Sequence, residues 1–76
     1  MMTTLNFHTD IYDIKALERS VTAFEAHATF DQTPHETSVE VSITSNDGID
    51  QQELVGAFVN YVLVETVQTR KSKELN

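Results

Sequence analysis

The stretch Gly48–Val67, GIDQQELVGAFVNYVLVETV, predicts one long helix. Asp50 is the predicted N-cap, where its carboxylate accepts a hydrogen bond from a first-turn amide, and Glu53 completes a capping box three residues later. Ile49 and Leu54 occupy the two positions of a hydrophobic staple. We therefore expect a helix that starts beside Asp50 and dominates the packing of the chain.

The apolar surface of this late helix is broader than one buried face requires. Between Leu54 and Val64 only Gly56 and Asn60 are not apolar. At about 100° per residue, the apolar side chains cover well over half of the circumference, whereas an ordinary surface helix carries a stripe of about 100° or slightly more. Two explanations are open: a small fold that wraps the helix on two sides, or an apolar surface that contacts a partner.

Asn60 is the polar exception in the middle of this helix, where asparagine has poor helix propensity. A buried asparagine at a helix interface needs hydrogen-bond partners and often fixes register, and Gly56 on the same side would let another backbone approach closely. The alternative is that Asn60 lies at the edge of solvent. The candidate partner contact comprises Phe58, Asn60, Tyr61, Val62 and Leu63.

A second, amphipathic helix is predicted earlier in the chain, with Asp10 or Asp13 as its N-cap. Apolar residues recur there at helical spacing, at Ile14, Leu17, Val21 and Phe24, with Ile11 extending the stripe backward. The residues between them are mostly polar. One face of this helix is therefore expected to pack and the other to face water.

Three segments of alternating apolar and polar residues predict strands at residues 3–8, 26–31 and 38–44, with a turn around Pro34. The order β-α-β-β-α predicts an α+β fold, a two-layer sandwich with a three-stranded sheet and both helices on one face. The first two strands are parallel if they share the sheet, and the position of the third strand stays open. We expect a single domain, residues 1–76, with residues 69–76 as a frayed basic tail.

The chain is acidic, with a net charge of −7. Residues 1–68 carry eleven acids and two bases, whereas residues 69–76 carry three bases and one acid. Because so acidic a surface repels phosphate, nucleic acid is not an expected partner. The first ten residues contain no basic segment followed by an apolar run, and no stretch of 18 apolar residues occurs. We therefore expect a cytoplasmic protein without a membrane partner.

Residue chemistry favours a protein without catalytic residues, cofactor or metal. There is no cysteine, and the two glycines, Gly48 and Gly56, allow no glycine-rich phosphate loop. His8 and His27 lie on strands that can bring them to one face of the sheet, where they would form a candidate metal or acid–base site. Ordinary solvated histidines are the alternative.

Four motifs follow one another along the chain. They are F-x-T-D-I-Y at residues 7–12, A-L followed by Phe24 seven residues after the leucine, the alternating strand at residues 39–43, and F-x-N-x-x-L at residues 58–63. In this order they resemble the HxsD-like family of His-Xaa-Ser systems. Where that family carries an arginine about eight residues after the asparagine, this chain has Gln68, and the nearest arginine is Arg70.

The resemblance implies a small non-catalytic accessory protein. Such proteins accompany radical S-adenosylmethionine enzymes in ribosomal peptide modification systems, where they are expected to bind a peptide substrate or a modifying enzyme. An extended peptide would add to a strand edge, and a helix would lie against the broad apolar surface. The alternative function is a homodimeric structural domain without a specific client, in which a second copy covers that surface.

Overall fold

A computed structural model describes the backbone of residues 2–74 and the side chains of residues 2–69. It contains β1 (Met2–His8), α1 (Ile14–Phe24), β2 (Ala28–Pro34), β3 (Ser38–Ser45) and α2 (Gln51–Glu74). The predicted element order and the α+β class are confirmed. The two helices cover one face of a three-stranded sheet, and the core lies between these two layers.

The sheet has the strand order β1-β3-β2, and β3 is antiparallel to both neighbours. β1 and β2 therefore run in the same direction without touching, as in a split β-α-β unit, and β3 occupies the position that the sequence left open. The register pairs Phe7 with Val39 on one side of β3 and Phe30 with Ile43 on the other. This register directs the apolar residues of all three strands to the helix layer.

Both helices start where a side chain caps them. The Asp13 carboxylate accepts a hydrogen bond from the Ala16 amide at 3.0 Å, which selects Asp13 over Asp10 as the N-cap of α1. The Asp50 carboxylate accepts one from the Glu53 amide at 2.9 Å, as predicted. The turn before α2 places Gly48 at a φ of 87°, a left-handed conformation that a residue without Cβ adopts at little cost.

Phe58 is the centre of the core. Its side chain is fully buried, and its ring contacts one aromatic ring from each of β1, α1 and β2. The ring centroids lie 6.0 Å from Phe7, 5.6 Å from Phe24 and 4.9 Å from Phe30. Edge-to-face and tilted contacts at these distances are favourable beyond the area that they bury. One residue of α2 thus joins the helix layer to both edge strands.

The buried face of α1 differs from the predicted stripe. Leu17 is buried, but Ile14 and Ile11 are 50% and 54% exposed, whereas Ala16 and Ser20 are fully buried. α1 lies closer to α2 than to any strand, and small side chains permit that close approach. The Ser20 hydroxyl donates to the Ala16 carbonyl at 2.7 Å, so its burial leaves no polar atom unsatisfied.

Two elements extend beyond their predicted ends. β2 continues through Pro34, which was expected in the turn, because β2 is an edge strand and proline can lie there. α2 continues through Glu74 instead of ending at Val67, since no glycine or proline interrupts it. The predicted tail is therefore helical from Thr69 to Glu74, and residues 75 and 76 lie outside the described part of the chain.

Candidate interaction surface

The five residues of the predicted partner contact lie on different sides of α2. Phe58 and Val62 are fully buried against the core, so they cannot contact a partner, and the prediction was wrong for these two. Asn60 is exposed, Tyr61 is 38% exposed and Leu63 is 45% exposed. The reason is the helical period: positions four residues apart from Leu54 onward form the stripe that faces the core.

The side of α2 that points away from the core is apolar as well. Leu63 is 45% exposed, and Val64 and Val67 are each 47% exposed. Gly56 and Asn60 are exposed on the same side. We name these five residues the α2 exposed face. Of the two explanations for the broad apolar arc, a fold that wraps the helix on two sides therefore does not apply to this face.

Four of these residues form a continuous strip along the helix. Gly56, Asn60, Leu63 and Val67 are separated by four, three and four residues, which places them within about 60° of one another on the helix surface. A Cβ added at Gly56 would meet no atom within 4 Å, so the strip is open at that end. Asn60 lies in solvent, as one of its two interpretations predicted.

Tyr61 belongs to another surface, the groove between the two helices. Its ring packs against Phe24 with the ring centroids 5.5 Å apart. The groove has a volume of about 630 Å³ and is lined by Lys15, Glu18, Arg19, Thr22, Ala23, Tyr61 and Glu65. Both basic side chains of residues 2–69 lie in it beside two acids, so the groove carries no excess of either charge. The Arg19 guanidinium also donates to the Thr69 hydroxyl.

Gln51 is a residue that the sequence did not single out. Its side-chain oxygen accepts a hydrogen bond from the Ser45 amide at 2.8 Å. Its side-chain nitrogen donates to the Ile43 carbonyl at 2.9 Å and to the Thr3 hydroxyl at 3.0 Å. These bonds tie the first residue of α2 to the ends of β1 and β3. They fix the direction in which α2, and therefore its exposed face, leaves the sheet.

The two histidines do not form a site. His8 and His27 are both next to the face of the sheet that points away from the helices. They lie at different positions along it, since His8 pairs with Ser38, whereas the His27 carbonyl accepts a hydrogen bond from the Asn46 amide. Because these partners lie at opposite ends of β3, the histidines are separated by about 26 Å, the length of eight strand residues. No cluster of three potential metal ligands occurs among the described residues.

Comparison of the chain with protein-family models, with curated proteins and with solved structures found no match. Between residues 2 and 74, neither helix is long and apolar enough to cross a membrane. Within the described side chains, every buried polar nitrogen or oxygen has a hydrogen-bond partner, so none marks a ligand site inside the fold.

Proposed function

We propose that the protein is a small non-catalytic accessory protein of a ribosomal peptide modification system. It binds the peptide substrate or the modifying enzyme of that system, and the α2 exposed face contributes to the contact. The system is inferred from the motifs that resemble the HxsD-like family. The observation that carries the interaction is the near half-exposure of Leu63, Val64 and Val67 on a helix that already buries its other side.

The free energy available at this face indicates what kind of contact it makes. Complete burial of one aliphatic side chain stabilises by about 1.5–3 kcal/mol. Covering the exposed halves of three such side chains therefore contributes about 2–4 kcal/mol, whereas micromolar binding requires about 8 kcal/mol. The partner must consequently contact additional surface beside the strip, as a folded enzyme or a long peptide does.

Charge favours a foreign partner over a second copy. Between Gln51 and Thr69, α2 carries Glu53 and Glu65 and no base. The whole chain carries twelve acids and five bases, a net charge of −7, so two copies repel each other as they approach. A partner with a basic surface is attracted instead, and complementary charge raises the association rate. The homodimeric alternative has no comparable support.

The proposal predicts that a radical S-adenosylmethionine enzyme and a repeat-bearing peptide are encoded beside this gene, and the test uses these two partners. Each is titrated calorimetrically with the wild-type protein, with Leu63→Lys and with Thr44→Lys. Thr44 is exposed on the sheet, so its variant is matched in charge but leaves α2 unchanged. We expect at least one of the two partners to bind the wild-type protein, to bind Leu63→Lys at least tenfold more weakly, and to bind Thr44→Lys with unchanged affinity. Absence of such neighbouring genes, or equal affinity of both variants, contradicts the proposal.

A further inference from the structure

The free edge of β2 is a second surface, separate from the α2 exposed face. Two hydrogen bonds fix the phase of the β2–β3 ladder: the His35 amide donates to the Ser38 carbonyl at 2.8 Å, and the Asn46 amide donates to the His27 carbonyl at 2.9 Å. Hydrogen-bonded pairs alternate along an antiparallel ladder. The backbone groups of odd-numbered residues in β2 therefore face β3, and those of even-numbered residues face outward.

The outward groups of Ala28, Phe30 and Gln32 form what we name the β2 edge. Among residues 2–69, no turn, loop or side-chain hydrogen bond occupies these groups. The backbone of Pro34 also faces outward, and because proline has no amide hydrogen it adds no donor to this edge. The edge thus offers three amide donors at alternate positions, enough to pair with a peptide strand of about five residues.

The helix layer leaves the second half of β2 uncovered. Gln32 and Pro34 point to the same side of the sheet as Phe30, yet both are exposed, whereas their partners Val41 and Val39 on β3 are buried. Phe30 itself is only partly buried. An added strand therefore finds space on the helix side of the sheet, and an apolar side chain there would pack beside Phe30.

The other side of the β2 edge is acidic. Asp31 and Glu40 lie on the open side of the sheet, and none of the three strands contains a lysine or arginine. A basic side chain next to Asp31 on an added strand would form an opposite-charge cross-strand pair, and such pairs strengthen a sheet. A second copy of this chain brings further carboxylates to the same edge, and like charges directly opposite one another are destabilising.

We infer that the β2 edge binds an extended peptide as a fourth strand. Its apolar residues face the helix layer beside Phe30, and its alternating basic residues face Asp31. This inference rests on the proposed function, since such a peptide is the substrate that an accessory protein would present to the modifying enzyme. Each surface then has its own partner: the β2 edge binds the peptide, and the α2 exposed face contacts the enzyme.

The direct test uses a synthetic seven-residue peptide of alternating valine and lysine with blocked termini. It is added to ¹⁵N-labelled full-length protein, and amide shifts and hydrogen exchange are followed by NMR. We expect exchange at Ala28, Phe30 and Gln32 to slow at least tenfold, and no change with the matched valine–glutamate peptide. Absence of protection, equal effects of both peptides, or protection of β1 in place of β2 overturns the inference.

Proline substitution separates the two edges of the sheet. The Thr9 amide donates to the Thr37 carbonyl, so the backbone groups of odd-numbered residues in β1 face β3. The Asn6 amide therefore faces outward from β1, as the Gln32 amide faces outward from β2. Gln32→Pro should weaken binding of the lysine peptide at least tenfold, and Asn6→Pro should leave it unchanged. Equal effects of the two variants contradict the assignment to β2.

Two further measurements keep the outcome decisive. If the NMR spectrum shows that Gln32→Pro does not fold, the wild-type protein is tested instead with two N-methylated versions of the valine–lysine peptide. In each version the backbone amides of every second residue are methylated, either those that would pair with β2 or those that would face away from it. Methylation of the pairing amides must abolish binding, and methylation of the other amides must leave binding intact. Leu63→Lys must bind the lysine peptide with wild-type affinity. If Leu63→Lys binds the enzyme with wild-type affinity while the peptide still protects the β2 amides, only the proposed α2 contact is overturned. If Leu63→Lys weakens enzyme binding but the peptide does not protect the β2 amides, only the inference for β2 is overturned.

Discussion

Val62 and Leu63 are neighbours in α2, yet Val62 is fully buried and Leu63 is 45% exposed. The step of about 100° between them separates the two apolar surfaces of the helix. Val62 packs with Phe58 in the core, and Leu63 belongs to a strip that this chain leaves uncovered. Substitutions on the two surfaces should therefore have separable effects on stability and on binding.

The buried surface of α2 should control stability. Phe58→Ala removes the ring that joins three other aromatic rings, and we expect it to lower the free energy of unfolding by about 3–5 kcal/mol. Leu63→Ala, the control on the same helix, should change it by no more than about 0.5 kcal/mol. Urea denaturation followed by circular dichroism measures both. Equal losses for the two variants would show that Leu63 is part of the core.

Gln51 should contribute more to stability than its neighbour Gln52. Gln51→Ala leaves the Ser45 amide without its side-chain acceptor and removes the bonds to Thr3 and Ile43, which should cost about 1–3 kcal/mol. Gln52 is exposed, so Gln52→Ala serves as the matched control and should be nearly neutral. Thermal unfolding of both variants compares them. A neutral Gln51→Ala would mean that these hydrogen bonds add nothing in solution.

The two glycines should respond to alanine in opposite directions. Gly56 lies inside α2, and the Cβ of an alanine there would have no atom within 4 Å, so Gly56→Ala should stabilise by about 0.5–1 kcal/mol. Gly48 has a φ of 87°, so Gly48→Ala should destabilise by about 1–2 kcal/mol. Chemical denaturation gives both values. Loss of stability in Gly56→Ala would indicate that another backbone approaches this position in solution.

Zinc should leave His8 and His27 unaffected. The two side chains are about 26 Å apart by strand length, too far to share a metal ion. We expect their imidazole NMR signals to keep their positions at excess zinc. Simultaneous shifts of both signals at one equivalent of zinc would contradict the described sheet register.

The features that the sequence predicts correctly are local. Alternation of apolar residues defines three strands, and the Asp50 carboxylate marks the start of α2 by accepting from the Glu53 amide, because both signals depend on residues a few positions apart. The breadth of the apolar arc likewise indicates that α2 has more apolar surface than one buried face uses. These signals require no knowledge of which elements become neighbours.

The features that the sequence misses depend on distant parts of the chain. In α2 nearly every position from Leu54 to Val64 is apolar, so periodicity does not tell which half faces the core or separate Val62 from Leu63. In α1 the close approach of α2 leaves room to bury Ala16 but not the larger Ile14. Gln51 bonds to Thr3 across 48 positions, which no local pattern indicates.

We propose that the α2 exposed face is left free for a foreign partner, and the mass of the protein in solution tests this. Sedimentation of the wild-type protein across a dilution series should give the monomer mass of 8.6 kDa at every concentration. A dimer that dissociates on dilution, and that Leu63→Lys abolishes while Thr44→Lys does not, would contradict the claim. It would show that a second copy of the chain covers this face.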